Sequence, residues 1–147
     1  MKTTSDSVGV VSNCIEGTAG GAKRMTASKL IHSVTEGLPV CELDTLRNQL
    51  DLPMERLVPM LGFSKATFHR RKLAGRLDAA ESERVVRFAR LLGKASSVMG
   101  SLENGRRWLT SPQVGLNGEI PLEYAETEVG AREVENLLGR IDYGVYS

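Results

Sequence analysis

Between Leu57 and Arg71 the sequence LVPMLGFSKATFHRR sets a cluster of hydrogen-bonding and cationic side chains directly after a glycine turn, a combination suited to duplex DNA. Ser64, Lys65, Thr67, His69, Arg70, Arg71 and Lys72 fall on one predicted helix. The cations are phosphate binders, while Ser, Thr, His and Arg can hydrogen-bond base edges in a major groove. These seven residues form the candidate DNA-binding set.

Two helices must hold that cluster. Leu57, Val58 and Leu61 are spaced as one apolar face of a short leading helix, and Gly62 stands where the chain must leave it. Phe63 supplies an apolar residue inside the turn, Ser64 offers a hydroxyl to cap the second helix, and Phe68 faces that helix toward the first. Pro59 has no N–H to bond back toward Glu55, so the leading helix should be short, kinked or partly 3₁₀.

The flanking segments read as helical scaffold. A weak helical pattern runs from Thr26 through Leu30, Ile31 and Val34 to Gly37, and Leu38-Pro39 opens a helix with Val40, Leu43, Leu46 and Leu50 on one face. Asp78 followed by Glu81 has the form of a capping box, and Val85, Ala89, Leu92, Ala95 and Met99 then repeat at helical spacing up to Gly100. On that helix Arg84, Arg87, Arg90 and Lys94 read as solvated or paired rather than base-reading.

A shorter helix spans Ser101 to Thr110 and carries Trp108, a residue type more often core than contact surface; turn chemistry follows at Gly115-Leu116-Asn117-Gly118. Pro121 begins a short helix, and Thr127 caps a last one with Val134, Leu137, Leu138 and Ile141 on its inner face. The chain finishes on Tyr143, Val145 and Tyr146, a tip either tucked against the last helix or held by another chain. No run alternates as a strand should, so the fold class is all-α.

Composition sets bounds on function. The net charge of +1 hides an asymmetry: residues 64–94 hold nine Lys or Arg against three acids, whereas residues 101–147 hold four Arg against eight acids. A basic region fits nucleic acid, and an acidic one more plausibly meets a protein. Cys14 and Cys41 read as free thiols, Cys41 buried on a helix, and neither joins His32 or His69 in a metal set. His69 lies among cations, and no nucleophile, base and orienting group are paired, so no enzyme is expected. With no apolar run near membrane-spanning length and no secretory leader pattern, the expected location is cytoplasmic. Residues 1–25, rich in Gly, Ser and Thr and containing GTAGGAK, read as a flexible tail rather than a phosphate loop. The expected division is a tail over 1–25, a DNA-binding unit over 26–77, a connecting helix over 78–100 and a C-terminal domain over 101–147.

With these residues in view, the chain resembles the Xre/MbcA/ParS family of antitoxins from about Leu30 to its C-terminus. The likeness rests on LGFSKATFHRRKLAGRLDAAESERVVRFARLL and on NGRRWLTSPQVGLNGEIPLEYAETEVGAREVENLLGRIDYGVYS. It implies an Xre-like helix-turn-helix bundle followed by a small helical toxin-binding domain. It also implies a partner, most often a RES-domain toxin that consumes NAD; the cofactor belongs to the toxin and this chain needs none. The toxin-binding residues it implies are Trp108, Leu116, Leu138, Arg140, Ile141, Tyr143, Val145 and Tyr146. Repression of the shared promoter would follow from operator binding, with a homodimer matching a two-fold operator. Arg71 departs from the helix-turn-helix pattern, which often has an apolar residue there. The alternative is a stand-alone dimeric repressor with no toxin.

Overall fold

Local hydrogen bonding sets where the helices begin and stop. The computed structural model describes residues 9–17 and 25–144. Helix α1 is Val10–Gly17, α2 Ala27–Glu36, α3 Cys41–Leu50, α4 Met54–Met60, α5 Lys65–Ala74, α6 Ala79–Met99, α7 Leu102–Leu109, α8 Pro121–Tyr124 and α9 Glu128–Asp142, with a 3₁₀ turn at Val114–Leu116 between α7 and α8. Side-chain oxygens of Thr26, Ser64, Asp78, Ser101 and Thr127 each accept an amide hydrogen in the first turn of the helix that follows. At Asp78 the capping box is complete, since Glu81 returns a bond to the Asp78 amide at 2.9 Å. Helix α6 stops at Gly100, whose φ of +97° is cheap only without a Cβ. Among the described residues the fold is all-α, with two isolated bridges, Pro39 to Arg76 and Gln113 to Glu119.

The long helix α6 is the spine, and α1, α2, α3, α7 and α9 all pack on it. Its inner residues Val85, Phe88, Ala89, Leu92 and Ala95 share one buried core with Leu38, Leu43 and Leu46 from the N-terminal part and Leu109, Leu122, Val134 and Leu137 from the C-terminal part. Helix α4 is seven residues long and tightens at its end, where the Leu61 amide reaches both Leu57 O and Val58 O and the Gly62 amide reaches Pro59 O. Pro59 itself faces solvent.

Two expectations need correction. Within the segment read as a flexible tail, Val10–Gly17 is a helix with Val10, Val11 and Ile15 buried. Its N-terminus is closed by Glu42 of α3, whose buried carboxylate accepts from the amides of Gly9 at 2.6 Å, Val10 at 3.3 Å and Val11 at 3.0 Å. Three donors that eight residues could not satisfy alone are thereby satisfied from another helix. Most of the GTAGGAK run lies outside the described residues. The second correction concerns Cys41, which is on a helix but exposed: α3 turns Glu42, Leu43, Leu46 and Leu50 inward, and that register points Cys41 out. Burial at its sulfur, reinforced by the charges of Glu42 and Asp44, raises its thiol pKa above the ordinary value.

Candidate DNA and partner interfaces

The turn between α4 and α5 is built on buried Leu57, Val58, Leu61 and Phe63, with Gly62 at φ +84°. The Ser64 hydroxyl accepts from the Thr67 amide at 3.0 Å, and the Thr67 hydroxyl in turn lies 3.0 Å from Ser64 Oγ and 3.4 Å from the donating Arg70 Nη2. Ser64 and Thr67 therefore shape the start of α5. Phe68 faces inward and half-buried, with Lys72 Nζ 5.4 Å from its ring centroid. Lys65, His69, Arg70 and Lys72 are exposed, and among the described residues none forms an ion pair.

Arg71 points the other way. Its Nε donates to Glu81 Oε1 at 2.7 Å and its Nη2 to Asp78 Oδ2 at 3.3 Å, so it binds both members of the α6 capping box. The hydrogen bond to Glu81 and the two carboxylate charges favour its protonated form still further. Arg71 occupies the inner face of α5, and a guanidinium is accommodated there because the buried carboxylate of Glu81 lies opposite. Its side chain is thus committed to the start of α6, unlike the exposed Lys65, His69, Arg70 and Lys72. Arg84 holds the same turn from α6, donating from Nε to Leu61 O at 2.6 Å.

One turn further along α6, Arg87 donates to Glu126 O at 2.9 Å and to Ala125 O at 3.4 Å, tying α6 to the corner between α8 and α9. Arg106 of α7 donates to Gln49 O of α3 at 3.1 Å and ties α7 to the end of α3. Glycines set the closest approaches. A Cβ on Gly130 would lie 1.7 Å from the Tyr124 carbonyl oxygen, and one on Gly105 would lie 2.6 Å from the Ser96 amide nitrogen.

In the C-terminal part the candidate residues separate by exposure. Leu116 and Leu138 are core: Leu138 shares the inner face of α9 with Val134 and Leu137, and the 3₁₀ turn carrying Leu116 lies so close to α9 that a Cβ on Gly115 would sit 2.9 Å from Leu137. Both are buried within the folded domain, away from its surface. Trp108 is half-buried against the core, and its carbonyl accepts from Gln113 Nε2 at 2.9 Å. Arg140 is exposed, Ile141 half-buried and Tyr143 84 % exposed. Val145 and Tyr146 lie outside the described residues.

Two exposed apolar residues of the C-terminal part escaped the sequence reading, Val114 at 86 % and Val129 at 73 %. Val129 was recoverable: five positions before Val134, it falls off the inner stripe of α9 and onto an outer one with Glu133, Asn136, Arg140 and Tyr143, all exposed. Among the described residues no group of His, Cys, Asp and Glu could hold a metal ion, and no helix is long and apolar enough to cross a membrane.

Comparison with known proteins matches the chain in two stretches that meet within α6. Residues 29–90 match the model of the antitoxin Xre-like helix-turn-helix domain, and residues 94–144 match that of the antitoxin Xre/MbcA/ParS C-terminal toxin-binding domain. Over 121 residues the chain is 33 % identical to an Antitoxin Xre of Yersinia enterocolitica, covering 80 % of this chain and 81 % of the relative. An Antitoxin Xre of Photorhabdus laumondii is 32 % identical over 116 residues, 78 % of each chain. A third, from Pseudomonas putida, is 32 % identical over 68 residues, 46 % of this chain and 43 % of its own. Helix α1 precedes both matched stretches.

Proposed function

The chain belongs to the Xre family of antitoxins, and from that premise we propose that it neutralises a RES-type, NAD-degrading toxin and represses its own operon. As an antitoxin it is a binding protein rather than an enzyme, with a DNA-binding helix-turn-helix and a toxin-binding C-terminal domain. The observation that carries the reading is the presence of both domains in one chain, each with its own exposed surface. The polar and cationic groups Lys65, His69, Arg70 and Lys72 are exposed on α5, and Arg140 and Tyr143 are exposed at the end of α9.

The proposed mechanism is steric. The tip from Arg140 through Tyr146 enters the toxin's active site and competes with NAD, and the outer stripe of α9, together with Trp108, adds the covered area that slows release. Tyr143 suits this role because it brings a large rigid ring and a polar hydroxyl at low rotamer cost. On the DNA side, exposed cations of α5 engage phosphates while His69 and Arg70 read bases, and two copies of the chain match the two halves of a two-fold operator. The proposed division is residues 26–77 for DNA, 78–100 as connecting helix and 101–147 for the toxin, the last two meeting at Gly100.

Co-expression with the neighbouring open reading frame tests this, with growth and cellular NAD as readouts. The reading requires the neighbour alone to arrest growth and deplete NAD, the full chain to restore both, and a chain ending at Asp142 to fail. That truncation removes the part of the tip from Tyr143 onward yet keeps all of α9 and its buried Leu137 and Leu138. Growth arrest without NAD loss would assign the partner to another toxin class, and a harmless neighbour would leave a stand-alone regulator.

A further inference from the structure

The outward face of α5 is not uniformly polar. Ala66, His69, Arg70 and Leu73 recur at i, i+3, i+4 and i+7, and all four are exposed, opposite the inward Phe68 and Arg71. Leu73 is 77 % exposed. A lone exposed leucine is ordinary on a protein surface. This one lies on the stripe that also carries the two base-reading candidates, and Ala66 lies two turns away with an angular offset of only about 20°. A face built for phosphate alone would have no use for either residue.

We infer that Leu73, with Ala66, reads thymine by contact with its C5 methyl group, flanking the bases engaged by His69 and Arg70. The inference rests on α5 being the recognition helix. In the major groove thymine is the base that presents a methyl group, and apolar side chains are its complement. Ala66 and Leu73 are about 10 Å apart along the helix axis, the rise of seven residues, which corresponds to roughly three base-pair steps of 3.4 Å. The operator half-site should therefore hold a thymine at or near each end of the segment facing α5, with hydrogen-bonding bases between. Lys65 and Lys72, seven residues apart, lie along one side of the stripe and are placed for phosphates on that side.

Replacing thymine by deoxyuridine removes the methyl group and leaves every hydrogen-bonding edge intact. The test uses the full chain and the duplex it protects in its own promoter, with each thymine replaced singly and Kd measured at one fixed salt concentration. The expected result is a loss of about fourfold at one or two positions per half-site, the weight of one buried methyl, and no change elsewhere. Leu73→Ala should bind the unmodified duplex more weakly and show no further loss at the Leu73-dependent uracil position, while Leu73→Met should keep the sensitivity. The proposal is overturned if no uracil position has an effect, or if the penalty is undiminished in Leu73→Ala. It is also overturned if Leu73→Ala weakens binding to all duplexes alike, which would place the leucine against a second copy of the chain. His69→Ala with Arg70→Ala separates the premise from the inference: unchanged operator binding by that variant removes α5 as the recognition helix, whereas lost binding with indifference to uracil removes only the methyl contact.

Discussion

Three glycines within helices allow one substitution, glycine to alanine, to be predicted with opposite signs. A Cβ on Gly139 of α9 meets nothing within 4 Å, so Gly139→Ala removes only unfolded-chain entropy and should stabilise the chain by up to about 1 kcal/mol. Gly105 of α7 has the same helical advantage to gain, but its Cβ would lie 2.6 Å from the Ser96 nitrogen and 2.7 Å from Ser96 Cα. Those are backbone atoms of α6 and cannot rotate away. Helix α7 would have to retreat by roughly 1 Å, loosening Leu109, Trp108 and Leu102 against α6, and gaps of that size forfeit a quarter to a half of each contact. Overpacking of this kind costs about 1–3 kcal/mol against about 1 kcal/mol of helix propensity gained, leaving a net loss near 1–2 kcal/mol. At Gly130 the Cβ would lie 1.7 Å from the Tyr124 carbonyl oxygen, so the loss there is larger. Urea unfolding of the full chain, followed by circular dichroism, should rank the midpoints Gly139→Ala, parent, Gly105→Ala, Gly130→Ala from highest to lowest, with heat moving the first three by roughly 4 °C per kcal/mol. A midpoint for Gly105→Ala above that of the parent would refute the close seating of α7 on α6.

Further expectations concern neighbouring residues with different roles. Arg70→Ala should weaken operator binding without lowering the unfolding midpoint, whereas Arg71→Ala should lower both, because it unfastens α5 from Glu81 and Asp78; equal midpoints for the two variants would show that Arg71 does not position the helix. Glu42→Ala leaves three amides of α1 without their acceptor and should cost about 2–3 kcal/mol, with faster hydrogen exchange confined to α1 and the start of α3; unchanged exchange at Val10 and Val11 would contradict the cap. Cys41 is exposed, yet its raised pKa keeps it as the thiol, so at pH 8 it should react with iodoacetamide more slowly than free cysteine. Reaction at the free-cysteine rate would count against the raising effect of the sulfur's burial and of the Glu42 and Asp44 charges. Tyr143→Ala combined with Tyr146→Ala should weaken toxin neutralisation and leave operator binding intact; full neutralisation by that pair would exclude the tip as the blocking element.

Much of this architecture is legible from local signals. Ser64, Asp78 with Glu81, Ser101 and Thr127 announce helix starts by chemistry that acts within four residues, and Gly37, Gly62 and Gly100 mark stops by the positive φ they adopt. What escapes is non-local. Helix α1 has too short an apolar pattern to stand alone, and its cap comes from Glu42, more than thirty positions away. Arg71 belongs to a cationic run by sequence, but its partner Glu81 is ten residues on and already engaged in a recognisable cap. Leu138 is a different case: its spacing with Val134 and Leu137 places it on the inner face of α9, where it is buried, while the resemblance identifies a toxin-binding domain without saying which side chains face out.

The central claim is that one chain carries two separable surfaces, one on α5 for operator DNA and one at the end of α9 for a toxin. The most direct measurement is a crossed comparison of operator Kd and toxin neutralisation for two variants, His69→Ala with Arg70→Ala and the chain ending at Asp142. The account predicts that the first loses operator binding and still neutralises, and that the second binds operator and no longer neutralises. Loss of both activities in either variant, with its unfolding midpoint unchanged, would contradict the separation on which the account depends.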